Sequence, residues 1–111
     1  MTTFSLSPIP ADLHWKNNPL DWRISTDSSL TITTGAKTDW FIDPSGSTPS
    51  LSNAPAALFV PTAGDFQLRA RVTVNFASTF DAGVLALYSR DDLWAKLCFE
   101  YSPQNQPMIV S

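Results

Sequence analysis

Residues 94 to 101 read Trp-Ala-Lys-Leu-Cys-Phe-Glu-Tyr. On an extended strand alternate side chains share a face, so Trp94, Lys96, Cys98 and Glu100 fall on one side. Ala95, Leu97, Phe99 and Tyr101 fall on the other and read as core. The first set places a flat aromatic ring beside an ammonium and a carboxylate. Such a set can stack on a sugar ring and hydrogen-bond its hydroxyls. Tyr88 and Arg90 end the preceding segment and flank this face if the two segments form a hairpin. The binding set read from the sequence is therefore Trp94, Lys96, Glu100, Tyr88 and Arg90, with carbohydrate as the ligand class. A plainer reading makes Lys96 and Glu100 solvated surface and Trp94 a cover for a sheet edge, and the usual exposure of such residues favours it. Asp39 and Trp40, in an irregular stretch, form a second candidate group, because binding residues often lie on loops.

Catalysis finds less support. Glycoside hydrolysis needs two carboxylates flanking the scissile bond, and Glu100 is the only glutamate in the chain. Asp91 and Asp92 are adjacent, so on extended backbone they point apart, and they read as a hairpin tip. His14 is the only histidine and no Gly-x-Ser-x-Gly elbow is present, which argues against a serine hydrolase. One histidine and one cysteine cannot build the usual closed zinc site. The aspartates are dispersed among turns, so calcium would need loops to converge. No catalytic residue, no metal ligand and no cofactor is assigned. Cys98, in mid-strand among apolar neighbours, reads as an ordinary buried or half-buried thiol.

The chain has 111 residues and a formal net charge of −3. That suits one domain, 1–111, with one modest core. Its basic residues are scattered, so no cluster exists to neutralise phosphates, and neither nucleic acid nor an anionic membrane is an expected partner. No apolar run approaches the roughly 20 residues that span a bilayer. The start lacks the basic and apolar regions of a secretory signal. A single cysteine forms no internal disulfide, and no Asn-x-Ser/Thr acceptor occurs. Together these features point to the cytoplasm.

The elements that must position the binding set read as strands throughout. In Phe66–Phe76 the residues Phe66, Leu68, Ala70, Val72, Val74 and Phe76 alternate with polar ones, which predicts a long strand with one buried face. Such a row needs an antiparallel sheet and a second layer. Ala82–Ser89 and Leu93–Tyr101 read as a hairpin around Arg90-Asp91-Asp92. Met108–Val110 begins a further strand that stops in mid-element, and an unpaired edge there would invite self-association. Upstream, Phe4 lies on a short edge strand, and Trp15 and Trp22 sit around an Asn17-Asn18-Pro19 loop as packing residues. Trp22–Ile24 and Leu30–Thr34 read as short strands joined through Asp27–Ser29. Residues 35–61 read as irregular apart from a strand at Ala57–Val60, with a strong turn at Asp43–Gly46. Ala63-Gly64-Asp65 turns the chain into the long strand. No helical period is sustained anywhere.

In order, Trp15 through Asn18-Pro19 to Trp22, Thr38-Asp39-Trp40-Phe41, Ala54–Leu58, Gly64-Asp65-Phe66, Phe80–Gly83 and Leu93–Leu97 to Glu100-Tyr101 resemble a domain family of uncharacterised function. Its members adopt the concanavalin A-like lectin/glucanase jelly-roll, and some carry the label regulation-of-enolase protein. The resemblance implies an all-β antiparallel jelly-roll sandwich, with this chain matching the N-terminal half of longer members. It further implies a soluble, non-catalytic binding or regulatory module, with a saccharide on the concave sheet or a metabolic enzyme as partner. Two alternatives remain beside it. One is a glycoside hydrolase with its second carboxylate in the other half, and the other a protein-interaction module that regulates an enzyme. Glucanases of this fold carry a Glu-x-Asp-x-(x)-Glu strand, which this sequence lacks. Phe80 stands where tyrosine is common in the family.

Overall fold

The computed structural model describes residues 2–62 and 64–111. Met1 and the Ala63 position of the expected Ala63-Gly64-Asp65 turn lie outside them. Every element among the described residues is a β-strand and every pairing is antiparallel, as expected of the fold class. The chain divides into two compact units, Met1–Phe66 and Gln67–Ser111.

The first unit is built from short pieces. Strand β1 (Thr3–Phe4) pairs with β2 (Leu13–Lys16), which pairs with β7 (Ala56–Leu58). Strands β3 (Asp21–Ile24) and β4 (Leu30–Thr33) form a hairpin. The Asp27 carboxylate accepts the Ser29 amide, and Ser28 takes a positive φ of 64°, so the expected turn closes it. Strands β5 (Trp40–Phe41) and β6 (Leu51–Ser52) pair across the Asp43–Gly46 turn, in a region the sequence left irregular. Two-residue strands carry too little alternation to be read from sequence.

Among the described residues of this unit, Leu13 and Trp40 are the buried apolar side chains. Phe4, Trp15 and Trp22 pack as a triad with centroids 4.6 to 5.5 Å apart; Trp15 is half-buried, whereas Trp22 is 37% exposed. The Trp15 indole Nε1 is buried with no hydrogen-bond partner.

The second unit is a meander, β8 (Ala82–Arg90), β9 (Leu93–Tyr101) and β10 (Pro107–Val110), in the order β10-β9-β8. Register follows the apolar pattern: Gly83 faces Phe99, Leu85 faces Leu97, and Ile109 faces Phe99 from the other side.

The long strand expected at Phe66–Phe76 does not form. The division between the units falls inside this run, and no residue of 66–77 belongs to a strand. Its alternation is still real. Val72, Val74 and Phe76 are half-buried while Arg71, Thr73 and Asn75 are exposed. Phe76 stacks on Tyr101 with centroids 4.9 Å apart and lies 5.2 Å from Phe99. Alternating apolar residues report a face that must be covered, not a backbone ladder, and here the face is covered without the ladder.

Burial on β9 also departs from expectation. Leu97, read as core, is 50% exposed, whereas Cys98 on the opposite face is 3% exposed. Strand alternation sorts residues onto two faces but does not say which face is covered. Around Leu97 a shallow apolar cleft of about 270 Å³ remains, lined by Ala70, Val72, Leu85, Phe99 and Ile109.

Candidate functional site

The β8–β9 hairpin positions four of the five expected binding residues near one end. Its loop is the two-residue turn Asp91-Asp92, because Arg90 and Leu93 are already cross-strand partners. Tyr88 faces Trp94 directly, and a register shift sits between Tyr88 and Arg90. Bulges of this kind sharpen local twist and re-aim side chains. Directly opposed side chains on a sheet have Cβ atoms about 5 Å apart, close enough for two aromatic rings to form one surface. Tyr88 and Trp94 are both half-buried, so they combine order with access.

The polar ends of both rings turn to the hairpin tip. Tyr88 Oη donates to Asp91 Oδ1 at 2.7 Å, and Trp94 Nε1 donates to the Asp91 carbonyl at 3.2 Å. Lys96 is two residues from Trp94 on the same face, and its Nζ stands 5.6 Å from the Trp94 ring centroid, within cation–π range. Arg90 Nε donates to Asp92 Oδ1 at 2.6 Å, in an exposed ion pair. Such a pair contributes roughly 0–1 kcal/mol, so it orients the arginine more than it stabilises the turn.

Glu100 is not brought to this end. It pairs with Ala82 and Met108, and four residues of extended strand, roughly 13 Å, separate it from Lys96. The buried Cys98 lies between them. Trp94, Lys96, Tyr88 and Arg90 therefore form one cluster, and Glu100 marks the far end of the same face. A single monosaccharide does not touch both, whereas an elongated ligand lying along the strand can.

Asp91 hydrogen-bonds both rings, a contact that the sequence reading did not anticipate. Two consecutive aspartates between strands read as turn chemistry, and they do form the turn. The missing signal was the spacing Tyr-x-x-Asp-x-x-Trp, which places an acceptor midway between two rings with polar ends.

The second candidate group, Asp39 and Trp40, lies within the first unit and is hydrogen-bonded there. Trp40 is 5% exposed, and its Nε1 donates to the Ala54 carbonyl at 3.0 Å. Asn17 donates to that same carbonyl and to that of Ser52. Asp39 accepts the Trp40 amide, while its own amide donates to Asn53 Oδ1. Among the described residues no three His, Cys, Asp or Glu side chains gather as metal ligands would, and no helix is long and apolar enough to cross a membrane.

A family model described as "Protein of unknown function (DUF1349)" matches residues 15–111. No curated protein and no solved structure gives a significant match.

Proposed function

The chain belongs to the DUF1349 family of proteins of unknown function, and within it we propose that this protein is a non-catalytic binding module holding a saccharide against the Trp94 face of the β8–β9 hairpin. The observation that carries the reading is the Tyr88–Trp94 pair. Two rings from different strands stand opposite one another with their polar ends tied to the tip, and a lysine ammonium lies over one of them. Aromatic rings held in this way recognise the C–H face of a pyranose, and neighbouring charged groups supply hydrogen bonds to its hydroxyls.

The non-catalytic part of the reading rests on the carboxylates. Glu100 has Ala82 and Met108 as cross-strand neighbours, neither of which can share acid–base work with it. Asp91 and Asp92 already accept hydrogen bonds from Tyr88 and Arg90. For the type of all-β fold, the order of sequence motifs supports the concanavalin A-like jelly-roll, in which saccharides bind a sheet face. That is an argument by fold analogy, and the named side chains carry the site.

The test is a titration of the full chain with cellobiose, mannobiose and lactose, followed by amide and indole NMR shifts. Shifts should concentrate at Tyr88, Arg90, Trp94 and Lys96, extending to Glu100 for longer oligomers. Shifts confined to other residues, or none with any sugar, would refute the reading.

A protein partner is the second reading, for which the reverse face of the same sheet gives the specific observation. Leu87 and Ile109 are 57% and 68% exposed there, beside the half-exposed Leu93 and Leu97. A contiguous apolar row of this kind suits a protein contact, either with a second copy of the chain or with the enzyme partner that the motif resemblance implies. Concentration-dependent sedimentation of the chain, abolished by Ile109→Lys, would favour the second copy.

A further inference from the structure

The hairpin tip contains one residue that the proposed ligand does not need to touch. Asp91 is the first residue of the two-residue turn, and it meets both rings of the pair: its carboxylate accepts from Tyr88 Oη, and its backbone carbonyl accepts from Trp94 Nε1. The rings belong to different strands, so a single turn residue fixes the two strands' contributions relative to each other. Asp92 is occupied separately by Arg90 and takes no part.

We propose that Asp91 is the positioning residue of this face, holding the Tyr88 ring beside Trp94 before any ligand arrives. The purpose of the clamp rests on reading that face as the site, but the clamp itself does not. Tyr88 is the half that needs help. It is the last residue of β8 paired in regular register, and the register shift begins immediately after it, so the ladder holds it from one side only. An O–H donor on a carboxylate at 2.7 Å is of the stronger, charge-assisted kind. A ring ordered in advance spares a ligand the entropy of ordering it, which raises affinity without adding a contact.

The roles of the two Asp91 acceptors can be separated. Replacing the side chain removes the acceptor for Tyr88 but leaves the carbonyl that receives Trp94. The chain has two tyrosines, so ring-labelled tyrosine resolves Tyr88 by NMR in the full protein.

In Asp91→Ala the Tyr88 ring should lose order and its shifts should move toward those of free tyrosine. In Asp91→Asn, which keeps an acceptor oxygen, the ring should stay close to its original state. The Trp94 indole proton should remain protected from exchange in both. With cellobiose, mannobiose and lactose as probes, Asp91→Ala and Tyr88→Phe should each weaken binding about tenfold. The double variant should lose less than the two single losses combined, since both remove the Tyr88–Asp91 bond. A Tyr88 ring unchanged in Asp91→Ala, or disturbed as much by Asp91→Asn as by Asp91→Ala, overturns the proposal. Tyr88→Phe tests the same bond should Asp91→Ala fail to fold. If ring order follows this pattern while no sugar binds the wild-type chain, the clamp stands and the saccharide reading falls.

Discussion

Val72 stands directly over Gly83. A Cβ built on Gly83 would overlap Val72 Cγ1 and lie 3.0 Å from Val74 Cγ2, so the glycine is what allows residues 72–74 to lie against the sheet. The absence of a side chain there sets how closely the segment approaches β8.

Gly83→Ala should therefore destabilise the protein by about 1–3 kcal/mol, the usual cost of forcing extra atoms into a packed contact. Val72→Ala removes the atom that Cβ would strike. The double variant should recover part of the loss, which chemical denaturation of both singles and the double will measure. Strictly additive losses would mean that the two sites do not meet in solution.

Two indoles of the first unit, Trp40 and Trp15, should respond unequally to loss of their N–H. Trp40 Nε1 is bonded to the Ala54 carbonyl, so Trp40→Phe should cost about 1–3 kcal/mol from the lost bond and lost area. Trp15 Nε1 is buried without a partner, so Trp15→Phe discards an unmet donor while keeping a ring in the triad with Phe4 and Trp22. Its melting temperature should fall less than that of Trp40→Phe, or rise.

Asp43 gives a pH-dependent prediction. Hydrogen bonds from the Ser45 hydroxyl and amide, followed by those from Thr48, hold its carboxyl below the ordinary value of 3.8. The folded state thus favours the ionised form. Its contribution is complete above the unfolded value and is lost as pH falls through the lower folded one. The Asp43 carboxyl should titrate by NMR below 3.8, and the Ser45 and Thr48 amides should shift at the same midpoint. A midpoint at or above the ordinary value would show that the loop is not held by these bonds.

Much of this was legible in the sequence, and each failure has its own physical reason. The hairpin at Leu93–Tyr101, its tip and the Trp94 face could be read because nine-residue strands carry several periods of alternation and the turn residues are unambiguous. Strand β2 was missed because Leu13–Lys16 lies among prolines and tryptophans in a segment that reads as loop. Phe66–Phe76 was over-read because an apolar row can be covered without joining a ladder. Leu97 and Cys98 were assigned to opposite faces, but alternation alone does not say which face is covered. Residue types singled out Trp94, Lys96, Tyr88 and Arg90, and the structure brings these four to one end of the hairpin. Glu100 was grouped with them by face alone, its distance along the strand emerged only with the register, and the Asp91 clamp required atomic positions.

If the Trp94 face binds a saccharide, thermal unfolding of the full chain will respond to sugar through that residue. Near-ultraviolet circular dichroism of the wild type and Trp94→Ala should be recorded with and without cellobiose, mannobiose and lactose. Binding there predicts a cooperative wild-type melt raised by at least one of these sugars, as expected for a ligand bound only by the folded state. Trp94→Ala should still melt cooperatively but show no rise. A rise of equal size in Trp94→Ala, or a wild-type melt unmoved by any sugar, would contradict it.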